Sequence, residues 1–138
     1  MTALLRLLCL LFCVLLALGD LSKSFGWFLD ELHYLEVLLG GDKVLHLGCA
    51  TLSTVAVLLF VDSFRVNSDP SRILLVLVFW GGVVSLVELH QMFVPTRQFS
   101  WGDLAANYLG VCLGLACWLV IKAITDVLAS PRQVDELR

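Results

Sequence analysis

The stretch VLHLGCATLSTVAVLLFV, residues 44–61, decides the fold. It holds no Asp, Glu, Lys or Arg over nearly the length a helix needs to cross the hydrocarbon core of a bilayer, about 20 residues. Three further apolar runs surround it, at about 3–18, 73–87 and 104–121, each bounded by charged or turn-forming residues. The first and third are short, so flanking residues must complete the crossing. Lipid offers backbone groups no hydrogen-bond partner, which makes these runs helices. The expectation is an all-α membrane protein, a four-transmembrane-helix bundle.

Composition agrees. Of 138 residues, 59% are hydrophobic and 15% charged, and the mean hydropathy is +0.93, far from an ordinary soluble domain. The formal net charge of -3 argues against a nucleic-acid partner, which requires a clustered basic surface. Four spans leave room for one domain, placed at 1–125, with a short polar tail at 126–138 that contains Pro131. Cys9, Cys13, Cys49, Cys112 and Cys117 all fall inside apolar runs, where cysteine behaves as a small hydrophobe. No disulfide framework, zinc motif or cofactor is expected.

Between the first two runs, residues 22–41 are too polar to span. Phe28, Leu32, Leu35 and Leu39 nevertheless recur at helical spacing, which predicts a short interfacial helix between the first and second spans. Gly40 and Gly41 then give a turn, and Asp69-Pro70 breaks the chain before the third span. Arg6 and the small residues Ala17 and Gly19 allow a cleaved signal peptide as the alternative to a first span. The thin basic segment and long apolar run favour an uncleaved span.

Lys and Arg are unevenly shared between the two sides. Arg6, Arg65, Arg72, Lys122, Arg132 and Arg138 fall on one side, against Lys23, Lys43 and Arg97 on the other. The positive-inside rule then puts both termini in the cytoplasm of a multi-pass plasma (inner) membrane protein.

Three polar clusters interrupt the apolar text, all on the outer side: Asp42, Lys43 and His46; Glu88, His90 and Gln91; Arg97, Asp103 and Asn107. Asp42 and His46 are four apart, Glu88 and Gln91 three, Asp103 and Asn107 four, so each pair shares a helix face. Small residues continue the stripes inward: Ala50 and Ser53 below His46, Ser85 and Gly81 below Glu88, Gly110 and Gly114 below Asn107. Ionisable groups at membrane depth seek the bundle interior and partners, which makes these clusters a candidate site. The bland alternative is a solvated rim of helix ends and caps, with Ser100 or Asp103 capping the fourth span and Arg97 paired to Glu88. His33 and His90 are expected at the interface without a role.

The segments DKVLHLGCATL and SLVELHQMFVPTRQFSWGDLAANYLGVCLG resemble the VanZ-like family of small bacterial membrane proteins, over a motif core at 42–114. The order D-K-x-x-H, E-x-x-Q, P-x-R, D-x-x-x-N is fairly specific. It assigns Asp42, Lys43, His46, Glu88, Gln91, Arg97, Asp103 and Asn107 as ligand-binding residues, with Gly110 following. The surroundings of Gln98 and Trp101 depart mildly from the family pattern. The resemblance implies a four-helix protein of the bacterial cell envelope. It also brings a link to antibiotic resistance, through low-level resistance to the glycopeptide teicoplanin, but no known reaction.

Three functions follow as expectations. The first is an accessory protein whose outer cleft binds an anionic lipid-linked envelope precursor or a glycopeptide. The second is a structural or interaction protein, with the charges as an intramolecular lock and another membrane protein as partner. The third is a membrane enzyme on a lipid-linked substrate, with His46, Glu88 and Asp103 as acid, base or metal ligands. It ranks last, because no GxSxG or HExxH motif is present.

Overall fold

The computed structural model describes residues 2–64, 69–95 and 97–129. Five helices follow in order: α1 (Thr2–Phe25), α2 (Leu29–Leu39), α3 (Asp42–Asp62), α4 (Pro70–His90) and α5 (Trp101–Ala129), with a single 3₁₀ turn (Gln91–Phe93) after α4. Four of them, α1, α3, α4 and α5, are long and apolar enough to cross a membrane. The two short apolar runs are completed as their length required: α1 continues through Asp20 and Lys23, and the third span reaches Phe93. With 29 residues, α5 is about 43 Å long, so it overshoots the hydrocarbon core of about 30 Å. It takes in the first four residues of the expected tail, and Pro131 with the rest of 130–138 lies outside the described residues.

Local chemistry sets the helix ends. Gly40 and Gly41 close α2 with φ of 99° and 106°, where a side chain would be strained, and the Gly41 N–H bonds the Glu36 carbonyl at 2.7 Å. This turn folds α2, the predicted short helix, back beside α3. Asp69 caps α4 by accepting from the Ser71 N–H at 3.1 Å, with Pro70 in the first turn, where its missing N–H costs nothing. Ser100 caps α5 by accepting from the Asp103 N–H at 3.3 Å.

The principal seam joins α3 to α5, which run parallel. Side chains at Gly110 and Gly114 are impossible as the helices stand. A Cβ on Gly110 would come within 2.6 Å of the Leu47 carbonyl and Ala50 Cβ, and one on Gly114 within 2.6 Å of Thr54 Cβ and 2.7 Å of the Thr51 carbonyl. The small-residue stripe is therefore consumed inside the chain. Thr51 and Thr54 back-bond to the Leu47 and Ala50 carbonyls at 2.7 Å, so their hydroxyls enter the seam satisfied. α1 packs on α3, and α4 packs chiefly on α5. Ser85 and Tyr108 share a 2.7 Å hydrogen bond across that second contact. Leucine, valine and phenylalanine on the outer faces of α1, α4 and α5, such as Leu7, Leu75, Phe79 and Leu109, are exposed, as lipid-facing residues are.

Candidate functional site

The α1 C-terminus, α2, the α3 N-terminus, the α4 C-terminus and the α5 N-terminus meet at one end of the bundle. Asp42 opens α3 and Asp103 lies in the first turn of α5, so each carboxylate sits at the positive end of a helix dipole. Lys43 bridges the two helices by reaching Asp103 at 3.4 Å. His46, one turn below Asp42, contacts Asn107 of α5 through Nδ1 at 3.3 Å and faces Asp42 through Nε2 at 3.6 Å. The i,i+4 spacing read from the sequence thus becomes one cluster across the seam.

Glu88 and Gln91 are among the most buried polar residues of the molecule, at 1% and 3% exposure. One carboxylate oxygen of Glu88 accepts from the Ser100 N–H at 3.2 Å, which ties α4 to the loop before α5. Its other oxygen, Oε2, has no hydrogen-bond partner among the described residues, and neither has Nε2 of Gln91. A buried unsatisfied polar atom costs about 1–3 kcal/mol, more when charged, and two on successive turns call for an explanation.

The Arg97–Glu88 pair, the bland alternative for Arg97, does not form. Arg97 bonds Asp20 at 2.9 Å, and its side chain is only 6% exposed. The physical reason is the length of α1, which carries Asp20 up to the loop holding Arg97. Lys23, one turn further on, bonds both Glu36 of α2 and Asp42 of α3, the latter at 3.0 Å. Asp20, Lys23 and Glu36 are the site residues that sequence reasoning missed. His33, expected to be idle, stands 3.6 Å from Glu36 and is largely exposed.

These groups border a cavity of about 450 Å³ that lies over α3 between α1 and α4. Its inner walls are apolar, including Leu16 and Ala17 of α1, Cys49 of α3, and Val84 and Val87 of α4. Its outer end is lined by His46, Glu88, Gln91, Arg97 and Asn107, together with Asp20, Lys23 and Glu36. Asp42, Lys43 and Asp103 do not line it; they form the adjoining bridge between α3 and α5. Trp80 also faces the cavity, and its indole Nε1 is buried without a partner among the described residues. It lies two turns below Glu88 on α4, about 12 Å deeper.

A family model described as VanZ/LLP1 matches residues 7–122, most of the chain. The chain belongs to the VanZ/LLP1 family. It is accordingly a VanZ-like, multi-pass membrane protein, and the matched region takes in every residue of the polar end, including Asp20, Lys23 and Glu36. No curated protein and no solved structure matches it.

Among the described residues the arrangement offers hydrogen-bond donors and acceptors. The hydroxyls of Thr51, Ser53, Thr54 and Ser85 bond backbone carbonyls of their own helices, so none is paired with a base. The five cysteines are free, and Cys13 and Cys49 contribute to the apolar wall. Asp42, His46 and Asp103 each bring one potential metal-ligating atom, all within 4.8 Å of one another.

Proposed function

We propose that this VanZ-like chain binds an anionic, lipid-linked ligand of the bacterial envelope, its chain in the apolar groove and its headgroup at the polar end. The observation that carries this reading is the grading of a single cavity from hydrocarbon walls to a cluster of buried, partly unsatisfied polar atoms. The volume suits a small-molecule ligand, which fills roughly 300–1,000 Å³. Arg97 and Gln91 supply donors for phosphate or carboxylate oxygens, and Glu88 supplies an acceptor for a ligand hydroxyl or amide. The Lys/Arg bias puts this end on the extracytoplasmic side of the plasma membrane, where lipid-linked precursors and glycopeptides meet. A role in glycopeptide resistance would follow from holding either one.

Binding of a polyprenyl phosphate to the purified protein in nanodiscs tests the reading. Arg97→Ala should weaken the affinity on the order of tenfold to a hundredfold, the worth of one charge-assisted hydrogen bond. Unchanged affinity overturns it. Teicoplanin in the same assay distinguishes the antibiotic from the lipid as ligand.

One set of contacts favours a second reading, the intramolecular lock. Arg97, Lys23 and Lys43 all have carboxylate partners within the chain. Under a pure lock, Arg97→Ala and Asp103→Ala lower the melting temperature and leave no binding to lose.

A further inference from the structure

Asp42, His46 and Asp103 share a feature that the amphiphile reading does not use. His46 Nδ1 stands 3.3 Å from the Asn107 side-chain oxygen, to which the Nδ1–H tautomer donates. In that tautomer Nε2 carries the free lone pair, 3.6 Å from Asp42 Oδ1. Asp103 closes the triangle, with its ligating atom and the other two all within 4.8 Å of one another. Two ligands on a tetrahedral metal with bonds of about 2.1 Å stand about 3.4 Å apart, so small side-chain shifts suffice to seat an ion.

Charge points the same way. The polar end brings together five carboxylates, from Asp20, Glu36, Asp42, Glu88 and Asp103, against three fixed cations, Lys23, Lys43 and Arg97. The carboxylates outnumber the lysine and arginine cations by two at a membrane edge. The N-termini of α3 and α5 offset roughly half a charge each, so they reduce the surplus without removing it. The lysines do not block the triangle. The Lys43 side chain is 67% exposed and free to swing outward, while Lys23 retains Glu36 when it releases Asp42.

We propose that Asp42, His46 and Asp103 form a divalent-cation site that staples the N-termini of α3 and α5, with Asn107 as the positioning residue that orients His46. One imidazole nitrogen and two carboxylate oxygens suit Zn²⁺ or Mn²⁺, with the remaining coordination positions open to water or to a ligand oxygen. The site stands whether or not the neighbouring cavity holds a lipid.

The test is metal titration of the full chain, carrying no polyhistidine tag, stripped with chelator in detergent and re-equilibrated with Zn²⁺ or Mn²⁺. One ion per chain is expected, with a metal-dependent rise in melting temperature. His46→Gln and Asp103→Asn should abolish stoichiometric uptake, and Asn107→Leu should weaken it about tenfold to a hundredfold. Lys43→Ala, which removes a competing cation, should tighten binding, an effect that general unfolding cannot produce. Metal-free melting curves of the variants establish that they fold. Failure of the wild-type chain to take up a stoichiometric ion, or affinity indifferent to His46→Gln and Lys43→Ala, overturns the proposal.

Discussion

The two ends of the bundle solve the same problem differently. At the end opposite the cavity, Arg6 donates to the Ser63 carbonyl at 2.7 Å and hydroxyl at 2.9 Å and lies over the Phe64 ring, while Lys122 stands 3.6 Å from Asp62. Arg6 and Lys122 each find a partner at the end of α3, as charge at a helix end does at little cost. At the polar end, carboxylates outnumber cations, and Glu88 and Gln91, each with a buried polar atom that lacks a partner among the described residues, line a cavity. Charge at a membrane helix end is therefore uninformative by itself. Unsatisfied atoms around a cavity are what distinguish a site from a rim.

The seam of α3 against α5 joins the two ends, so a substitution inside it acts on both. Gly110→Leu would drive a side chain into the Leu47 carbonyl and Ala50. Overpacking of this kind costs about 1–3 kcal/mol where neighbours yield, and here the neighbour is backbone. Thermal unfolding in detergent should show the largest loss of any single substitution considered, with ligand and metal binding lost together. A Gly110→Leu protein that melts like wild type would mean that α3 and α5 do not pack as described.

The next largest effect separates the ends directly. Arg97→Ala leaves Asp20 unpaired and removes a cavity-lining cation, whereas Arg6→Ala removes a cation that does not line this cavity. Polyprenyl phosphate affinity should fall on the order of tenfold to a hundredfold in the first and stay within about twofold in the second. Equal losses in both would erase the distinction between site and rim.

How much of this was legible in the sequence depends on which physical signal each residue carries. The four spans and α2 were readable because apolar length and helical period are local properties. Asp42, His46, Asp103 and Asn107 were placed on facing stripes by i,i+4 spacing, and the structure brings them together across α3 and α5. Asp20, Lys23 and Glu36 were not, because the apolar run of α1 fades near Leu18 and the residues beyond it resemble a loop. Their role depends on α1 continuing another turn and a half beside α3, a tertiary fact. The one available signal was Asp20 and Lys23 lying three apart on the helix face that also carries Leu16. The partner offered for Arg97 in the bland alternative was Glu88, near in sequence; its partner Asp20 is near only in space. The cavity itself is a property of packing and leaves no trace in hydropathy.

Glu88→Gln sharpens the comparison from the other direction, with a smaller binding effect of about tenfold and an opposite sign for stability. A glutamine side-chain oxygen still accepts from the Ser100 N–H, and the desolvation cost of a buried carboxylate disappears. Affinity for a hydroxylated or amide-bearing headgroup should fall while the melting temperature holds or rises. A fall in both would make Glu88 a structural anchor and return the polar end to the lock reading.

The smallest expected effect lies at the opposite end. Asp62→Asn removes the 3.6 Å contact to Lys122 and leaves a neutral, hydrogen-bonding side chain of the same shape at a position that is 41% exposed. Exposed ion pairs contribute about 0–1 kcal/mol and are screened by salt, so the melting temperature should move little and the shift should vanish in high salt. Binding at the far end should not respond at all. If it did, the two ends would be coupled through α3, whose first residue is Asp42 and whose last is Asp62, and the rim would have to be counted as part of the site.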